Sequence, residues 1–229
     1  MEQERECDYS VGLRPLPASP SRYRRAMGEP VPWETIYRTS DEPSLSWFQT
    51  APEPSIQLIT EVVDLSTSSI VDIGAGTSRL ADALLDRGCP DLTIVDVSTT
   101  ALEVVERRVG EDDRLTPIVA DITTWNPGRT FDLWHDRAVL HFLTGTDLDA
   151  YRTLTERAVS AGGHLIIGTF APEGPETCSG RPVTRYSTAE LADLFADGFT
   201  PISSRGHLHT TPTGGGQAFT WVTLRRRST

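Results

Sequence analysis

Charged residues with chemical potential recur along the middle of the chain. Asp72 stands two residues ahead of Gly74-Ala75-Gly76, Asp96 follows 20 residues after Gly76, and Asp121 and the run His135-Asp136-Arg137 come later. Glycines without side chains let a ligand approach the backbone, and the N–H groups of a helix start behind them can meet its polar atoms. A carboxylate about 20 residues beyond such a turn is spaced to accept both hydroxyls of a ribose. Val97 shares the edge of Asp96. Asp121 could bond an adenine amino group, with Ile122 covering the ring. His135 has the pKa class of a general base, and Asp136 or His141 could orient it. His141, set among Val139, Leu140 and Phe142, reads instead as a structural residue.

Adenosine is the usual owner of such a ribose, in NAD or in S-adenosylmethionine. The NAD fingerprint needs a third glycine, for close packing and pyrophosphate approach. Arg79 occupies that position, and acidic Asp72 suits an ammonium better than a pyrophosphate. The residues therefore favour S-adenosylmethionine, held by Asp72, Gly74, Gly76, Asp96, Val97, Asp121 and Ile122. Methyl transfer is an in-line displacement governed mainly by positioning. A thiolate acceptor hardly needs a base, whereas an amine, hydroxyl or carbon acid gains from one. Cys178, on a Pro/Gly-rich loop, and Tyr186 and Gln217 are expected beside the substrate. His207 and His209 alternate along a β-like run, but no third ligand accompanies them and no metal is expected.

Elements must bring these residues to one edge. Ile70–Ile73 has the β-branched density of a buried parallel strand, followed by a helix over Arg79–Arg87 closed by Gly88. Leu92–Val97, Leu115–Ala120, Phe131–Trp134 and His164–Thr169 read as further strands. Helices are expected from Thr100 to Arg108, with a Thr100/Glu103 capping box, and over Ala138–Leu143, Asp147–Val159 and Thr188–Ala196, the last with a Ser187/Glu190 box. Two β-like runs, Ile202–Thr210 and Ala218–Leu224, form a hairpin around Gly214-Gly215-Gly216. The fold class is α/β: a Rossmann-like, doubly wound, mostly parallel seven-stranded sheet with a C-terminal antiparallel hairpin. Ahead of it, Pro54 opens an amphipathic helix through Leu65. Trp33 and Tyr37 lie one helical turn apart, with Trp47 and Phe48 following, and suggest either a lid over a pocket or a plug on the sheet.

Bulk properties narrow the partners. The 229 residues carry a formal net charge of -11, which argues against a general binder of nucleic acid or anionic membrane. Three scattered cysteines show no disulfide or metal spacing and suit a reducing compartment. No signal peptide and no membrane span is visible, so a cytoplasmic location is expected. Residues 1–32, rich in Pro, Arg and Ser, are expected to form a loosely attached arm before the domain 33–229, with the aromatic lid at 33–65.

At this point the chain resembles a family. The order D-I-G-A-G, an acid ending the second strand, A-D-I after the third and a terminal hairpin is similar to the class I S-adenosylmethionine-dependent methyltransferases. A narrower similarity, carried by F-D-L-W-H-D-R-A-V-L (Phe131–Leu140), Tyr151 and the aromatic pre-segment, is to the thiopurine methyltransferase group. The resemblance implies a cofactor held by the lid aromatics Trp33, Tyr37 and Trp47 together with Gly74, Asp96 and Asp121-Ile122. It also implies a role for Arg137 at cofactor or substrate. The expected activity is methyl transfer to a small molecule, at sulfur or another heteroatom. The W-F and G-A-G elements also resemble protein-lysine methyltransferases acting on translation elongation factors, the first alternative. A non-catalytic nucleotide-binding subunit and a nicotinamide-dependent reductase are the others. The acceptor and the oligomeric state are not encoded in any motif.

Overall fold

The computed structural model describes residues 32–228. The expected N-terminal arm lies, except for Pro32, outside the described residues. At the centre stands β1 (Ser69–Ile73), whose side chains are buried on both faces, as a parallel strand covered by helices on either side requires. On one side of it lie β2 (Asp91–Asp96) and β3 (Leu115–Val119), and on the other β4 (Phe131–Arg137) and β5 (Val159–Phe170), all parallel. The chain thus builds outward from β1 and then returns to its other side, creating a switch point between β1 and β4. Two antiparallel strands complete the seven-stranded order β3-β2-β1-β4-β5-β9-β8, with β8 at Phe199–Thr210 and β9 at Gly216–Arg226.

Side-chain alternation along the strands separates two cores. One face gathers Ile70, Leu133, Ile166, Phe219 and Trp221 under α2 (Ser55–Thr60), α3 (Leu80–Asp86) and α4 (Thr99–Val109). The other gathers Val71, Trp134, Ile167 and Val222 with Tyr151 and Leu154 of α5 (Gly145–Ala158) and Leu191 of α6 (Thr188–Leu194). The helix α1 (Trp33–Thr39) has no fully buried residue and packs beside α4.

Several expected boundaries move, each for a local reason. The helix expected from Pro54 to Leu65 stops at Thr60, whose hydroxyl bonds back to the Ile56 and Gln57 carbonyls, and Asp64 then starts a turn by accepting from Ser66. The cap of α4 is Ser98, accepting from the Ala101 N–H, and not Thr100. Thr100 is occupied by Glu34 from α1. The expected helix 138–143 is a single tight turn over Leu140–Phe142, preceded by Ala138 at φ 71°, a left-handed conformation that no helix continues through. The Asp136 carboxylate accepts the Val139 and Leu140 N–H groups and so fixes this turn. β4 consequently extends through His135-Asp136-Arg137 instead of ending before them. The capping box of Ser187 and Glu190 is present in full. Within the expected loop, Thr177–Cys178 (β6) and Arg181–Pro182 (β7) form a small hairpin.

Candidate functional site

The site begins where β1 ends. Gly74 and Gly76 take φ of 63° and 51°, values open to glycine at little cost. A β-carbon at Gly74 would collide with the Val139 methyl, and one at Gly76 with the Tyr37 hydroxyl. The Gly74 N–H donates to Val95 (2.7 Å), and the Gly76 N–H donates to Asp96 Oδ2 (2.8 Å). Asp96 Oδ1 accepts the Ser98 N–H at 2.8 Å, so each carboxylate oxygen keeps a lone pair for a ligand hydroxyl. Burial pushes the Asp96 carboxyl up to about 6, opposed by those N–H bonds. Exposed Val97 stands at the mouth beside it. Across the β2–β3 edge, Asp121 Oδ1 accepts the N–H and hydroxyl of Thr123, and Ile122 is buried against Val95 and its neighbours.

On the face under α1 and α2, Asp72 and His135 are register partners on β1 and β4. His135 Nδ1 lies 2.7 Å from Asp72 Oδ1, Nε2 lies 2.9 Å from Ser55 Oγ, and the ring stacks on Trp221 with centroids 6.0 Å apart. Both ring nitrogens are therefore engaged, and the orienting carboxylate is Asp72. The expectation that Asp136 orients His135 is corrected: adjacent strand residues point to opposite faces. Asp136 lies fully buried on the other side, accepting from the Tyr151 hydroxyl at 2.6 Å and from the turn amides. Tyr151 in turn accepts the Trp134 indole N–H at 3.0 Å, and burial lifts the Asp136 carboxyl to about 6.

Arg137 returns to the site face. Its guanidinium donates to the Trp47 carbonyl (3.1 Å) and sits 5.7 Å from the Phe219 ring centroid. Burial lowers its pKa to about 10, against the pull of nearby Asp72, Cys178 and Tyr37. Cys178 faces this group from the β6–β7 hairpin, its thiol pushed up to about 11 by burial. Gln217 is the register partner of His209 at the outer end of the hairpin. Tyr186 is not brought here: its ring packs in the opposite core, with the residues of α5 and α6. Among the described residues no group of three or more His, Cys, Asp or Glu could hold a metal ion.

The aromatic segment closes over the glycine turn. Trp33 meets Trp47 (5.9 Å) and Phe142 (5.5 Å) edge-on, and Tyr37 meets Trp47 at 6.1 Å. Arg181 covers the outer face of Trp33 at 4.8 Å. Three further polar anchors, besides the Arg137 bond to the Trp47 carbonyl, fix the segment. Glu34 accepts from the Ser98 hydroxyl (2.7 Å) and from the Thr100 N–H and hydroxyl (3.2 and 2.5 Å). Glu42 pairs with Arg79 (3.3 Å) and Arg108 (3.5 Å). His209 Nε2 donates to the Ser46 carbonyl at 2.8 Å. Arg79, the residue in place of a third glycine, thus binds the lid. A shallow groove of about 450 Å³ runs along the outer side of the segment, between Phe48–Ala51 and His207–Thr210. Ser55, Glu34 and Phe142 were not singled out from the sequence, since their partners lie dozens of residues away. For Ser55 no local signal exists beyond the preceding Pro54.

Residues 70–163 match a family model described as a methyltransferase domain. Over that segment, and in the order of its sheet, the chain is similar to the class I S-adenosylmethionine-dependent methyltransferases. Among solved structures, the N-methyltransferase NodS from Bradyrhizobium japonicum WM9, bound to S-adenosylhomocysteine, is 17% identical with TM-score 0.66, over 86% of this chain and 99% of that one. A protein described for the conversion of a disulfide bond into a thioacetal group during echinomycin biosynthesis is 25% identical with TM-score 0.67, over 85% and 91%. The 1,6-didemethyltoxoflavin-N1-methyltransferase of Burkholderia thailandensis is 23% identical with TM-score 0.58, over 70% and 72%. No curated protein matches the chain by sequence. No helix among the described residues is long and apolar enough to cross a membrane.

Proposed function

We propose that the chain transfers a methyl group from S-adenosylmethionine to a small molecule, at a heteroatom. The observation that carries this reading is Asp96. It is a buried carboxylate tied to the glycine turn through the Gly76 N–H, with a lone pair free on each oxygen. A ribose diol needs two acceptors on one carboxylate, and this geometry offers them. Asp72, held beside the turn by His135, supplies negative charge for an ammonium. On this reading Asp121 would accept from the adenine amine, Ile122 would cover its ring, and the segment of Trp33, Tyr37 and Trp47 would cover the rest.

When bound, the sulfonium supplies an activated methyl group. The protein's part is to exclude water and to place the acceptor on the far side of that methyl, which is the largest lever in a displacement. The acceptor's surroundings would be Arg137, Cys178 and the rings of the lid. The segment Phe131–Leu140, similar to the thiopurine group, supports sulfur as the heteroatom. The structural neighbours include proteins named for nitrogen methylation, which supports nitrogen equally.

Calorimetry with S-adenosylhomocysteine tests the reading: binding at or below about 1 mM is expected, and none would end it. Labelled S-adenosylmethionine incubated with lysate should then mark small solutes. Label confined to protein bands would replace the acceptor class with protein lysine.

A further inference from the structure

Three side chains from three elements form one continuous chain of hydrogen bonds on the site face. Ser55 opens α2, His135 lies on β4 and Asp72 on β1, and they are only 2%, 2% and 4% exposed. Ser55 Oγ lies 2.9 Å from His135 Nε2, and His135 Nδ1 lies 2.7 Å from Asp72 Oδ1. A carboxylate only accepts, so Nδ1 carries the ring proton and donates it. Nε2 is then the bare nitrogen, and it accepts the Ser55 hydroxyl. His135 thus keeps no lone pair for a substrate proton.

The same residue types serve nucleophilic catalysis elsewhere, where the serine end meets a substrate carbonyl. Here the serine end is buried and the carboxylate end is the open one. Asp72 Oδ2 takes no hydrogen bond from any described residue, yet it is not sealed in, as the unpartnered polar atoms of the interior are. Asp96 on β2 and Arg137 on β4, the strands flanking β1, both lie within electrostatic reach of Asp72. A carboxylate on a rotatable arm would turn in that mixed field. The 2.7 Å charge-assisted bond stops it, because the donating ring is stacked on Trp221. That ring, in turn, cannot flip without giving up Ser55.

We infer that Ser55 and His135 are positioning residues that aim the open oxygen of Asp72 at the ammonium of the cofactor's amino-acid end. The inference rests on the S-adenosylmethionine reading above and adds a division of labour to it. On that reading the adenosine half belongs to Asp96, Asp121 and Ile122. Asp96 and Asp121 bond to Gly76, Ser98 and Thr123, and not to the Ser55–His135–Asp72 chain. The chain therefore serves the amino-acid half alone. A fully bonded buried network holds one geometry, and its members act together. Loss of Ser55 frees the ring, and loss of the ring frees the carboxylate.

Calorimetry on the full chain tests this with two ligands, S-adenosylhomocysteine and 5′-methylthioadenosine. The second keeps the adenosine and the sulfur and lacks the amino acid. The wild type should bind both. Ser55→Ala should weaken S-adenosylhomocysteine about tenfold. His135→Phe, which keeps a ring on Trp221 but removes the donor, should weaken it about 30-fold. Both variants should hold 5′-methylthioadenosine within roughly twofold of wild type. His135→Asn returns a donor near the place of Nδ1 and should recover most of the affinity. The double variant should bind no worse than His135→Phe alone, since both changes act through one ring. Equal losses for the two ligands, unchanged S-adenosylhomocysteine binding in Ser55→Ala or His135→Phe, or additive losses in the double variant would overturn the inference. Should His135→Phe fail to fold, the two ligands measured on Ser55→Ala decide the matter alone. A wild type that binds neither ligand would instead remove the cofactor reading beneath it.

Discussion

Two buried carboxylates illustrate how differently one residue type can be used. Asp96 and Asp136 are both raised to about 6 by burial. A folded-state value above the unfolded 3.8 means the native chain takes up protons between about pH 4 and 6, so the two groups lower ligand-free stability as pH rises through that window. Binding runs the other way at Asp96. Only the ionised form accepts both ribose hydroxyls, so affinity for S-adenosylhomocysteine should be full above about pH 6 and fall as pH drops below it, with Asp96→Asn weak and flat across the range in calorimetry. Asp136 has a structural load instead. Tyr151→Phe removes its 2.6 Å donor and strands the Trp134 indole N–H. A loss of about 2 kcal/mol, or ~4–8 °C in Tm, is expected by thermal denaturation. Spacing alone made Asp96 legible in the sequence. It could not separate His135 from Asp136, because the extent of β4 decides which face each takes.

Elements are legible where the pattern is periodic and obscured where a side chain overrides it. β1, β2, α3 and the Ser187 capping box follow their local signals. The turn after β4 does not, since the Asp136 carboxylate and left-handed Ala138 break an otherwise helical string. At α4 the anticipated Thr100 box gives way to Ser98 because Glu34 takes Thr100 from outside. That contact makes α1 dependent on α4. Glu34→Ala should leave the midpoint of thermal unfolding within about 2 °C, yet speed hydrogen exchange across Trp33–Thr39 and weaken S-adenosylhomocysteine binding several-fold, since a freed helix must be ordered again at each binding event. Unchanged exchange in that helix would show that aromatic packing alone holds it.

For the whole molecule, the seam between the parallel half of the sheet and the C-terminal hairpin is the decisive joint. Gly168 on β5 faces Trp221 on β9, and a β-carbon there would stand 2.6 Å from the indole. The same indole backs His135, so the seam supports the site. Gly168→Ala should cost about 1–3 kcal/mol through overpacking, read as a lower denaturation midpoint at unchanged slope. Strand count and direction were legible from the alternation of strand and helix. An antiparallel strand inserted near one edge is the mark that separates this sheet from a nicotinamide-binding one, and β9 is that strand; which strand takes the place was not legible, because it depends on pairings across some 50 residues of chain.

At its second half the lid is fastened through main-chain atoms: the Ser46 carbonyl takes the His209 N–H, and the Trp47 carbonyl takes Arg137. Every amino acid offers that same oxygen. Substitutions at 46–48 can therefore alter the walls of the groove and the cover of the crevice without loosening the fastening. Over evolutionary time such a cover can drift to new acceptors while its hinge stays in place. The same freedom recommends Phe48 and Trp47 as the first positions to randomise when redirecting the enzyme to a chosen substrate.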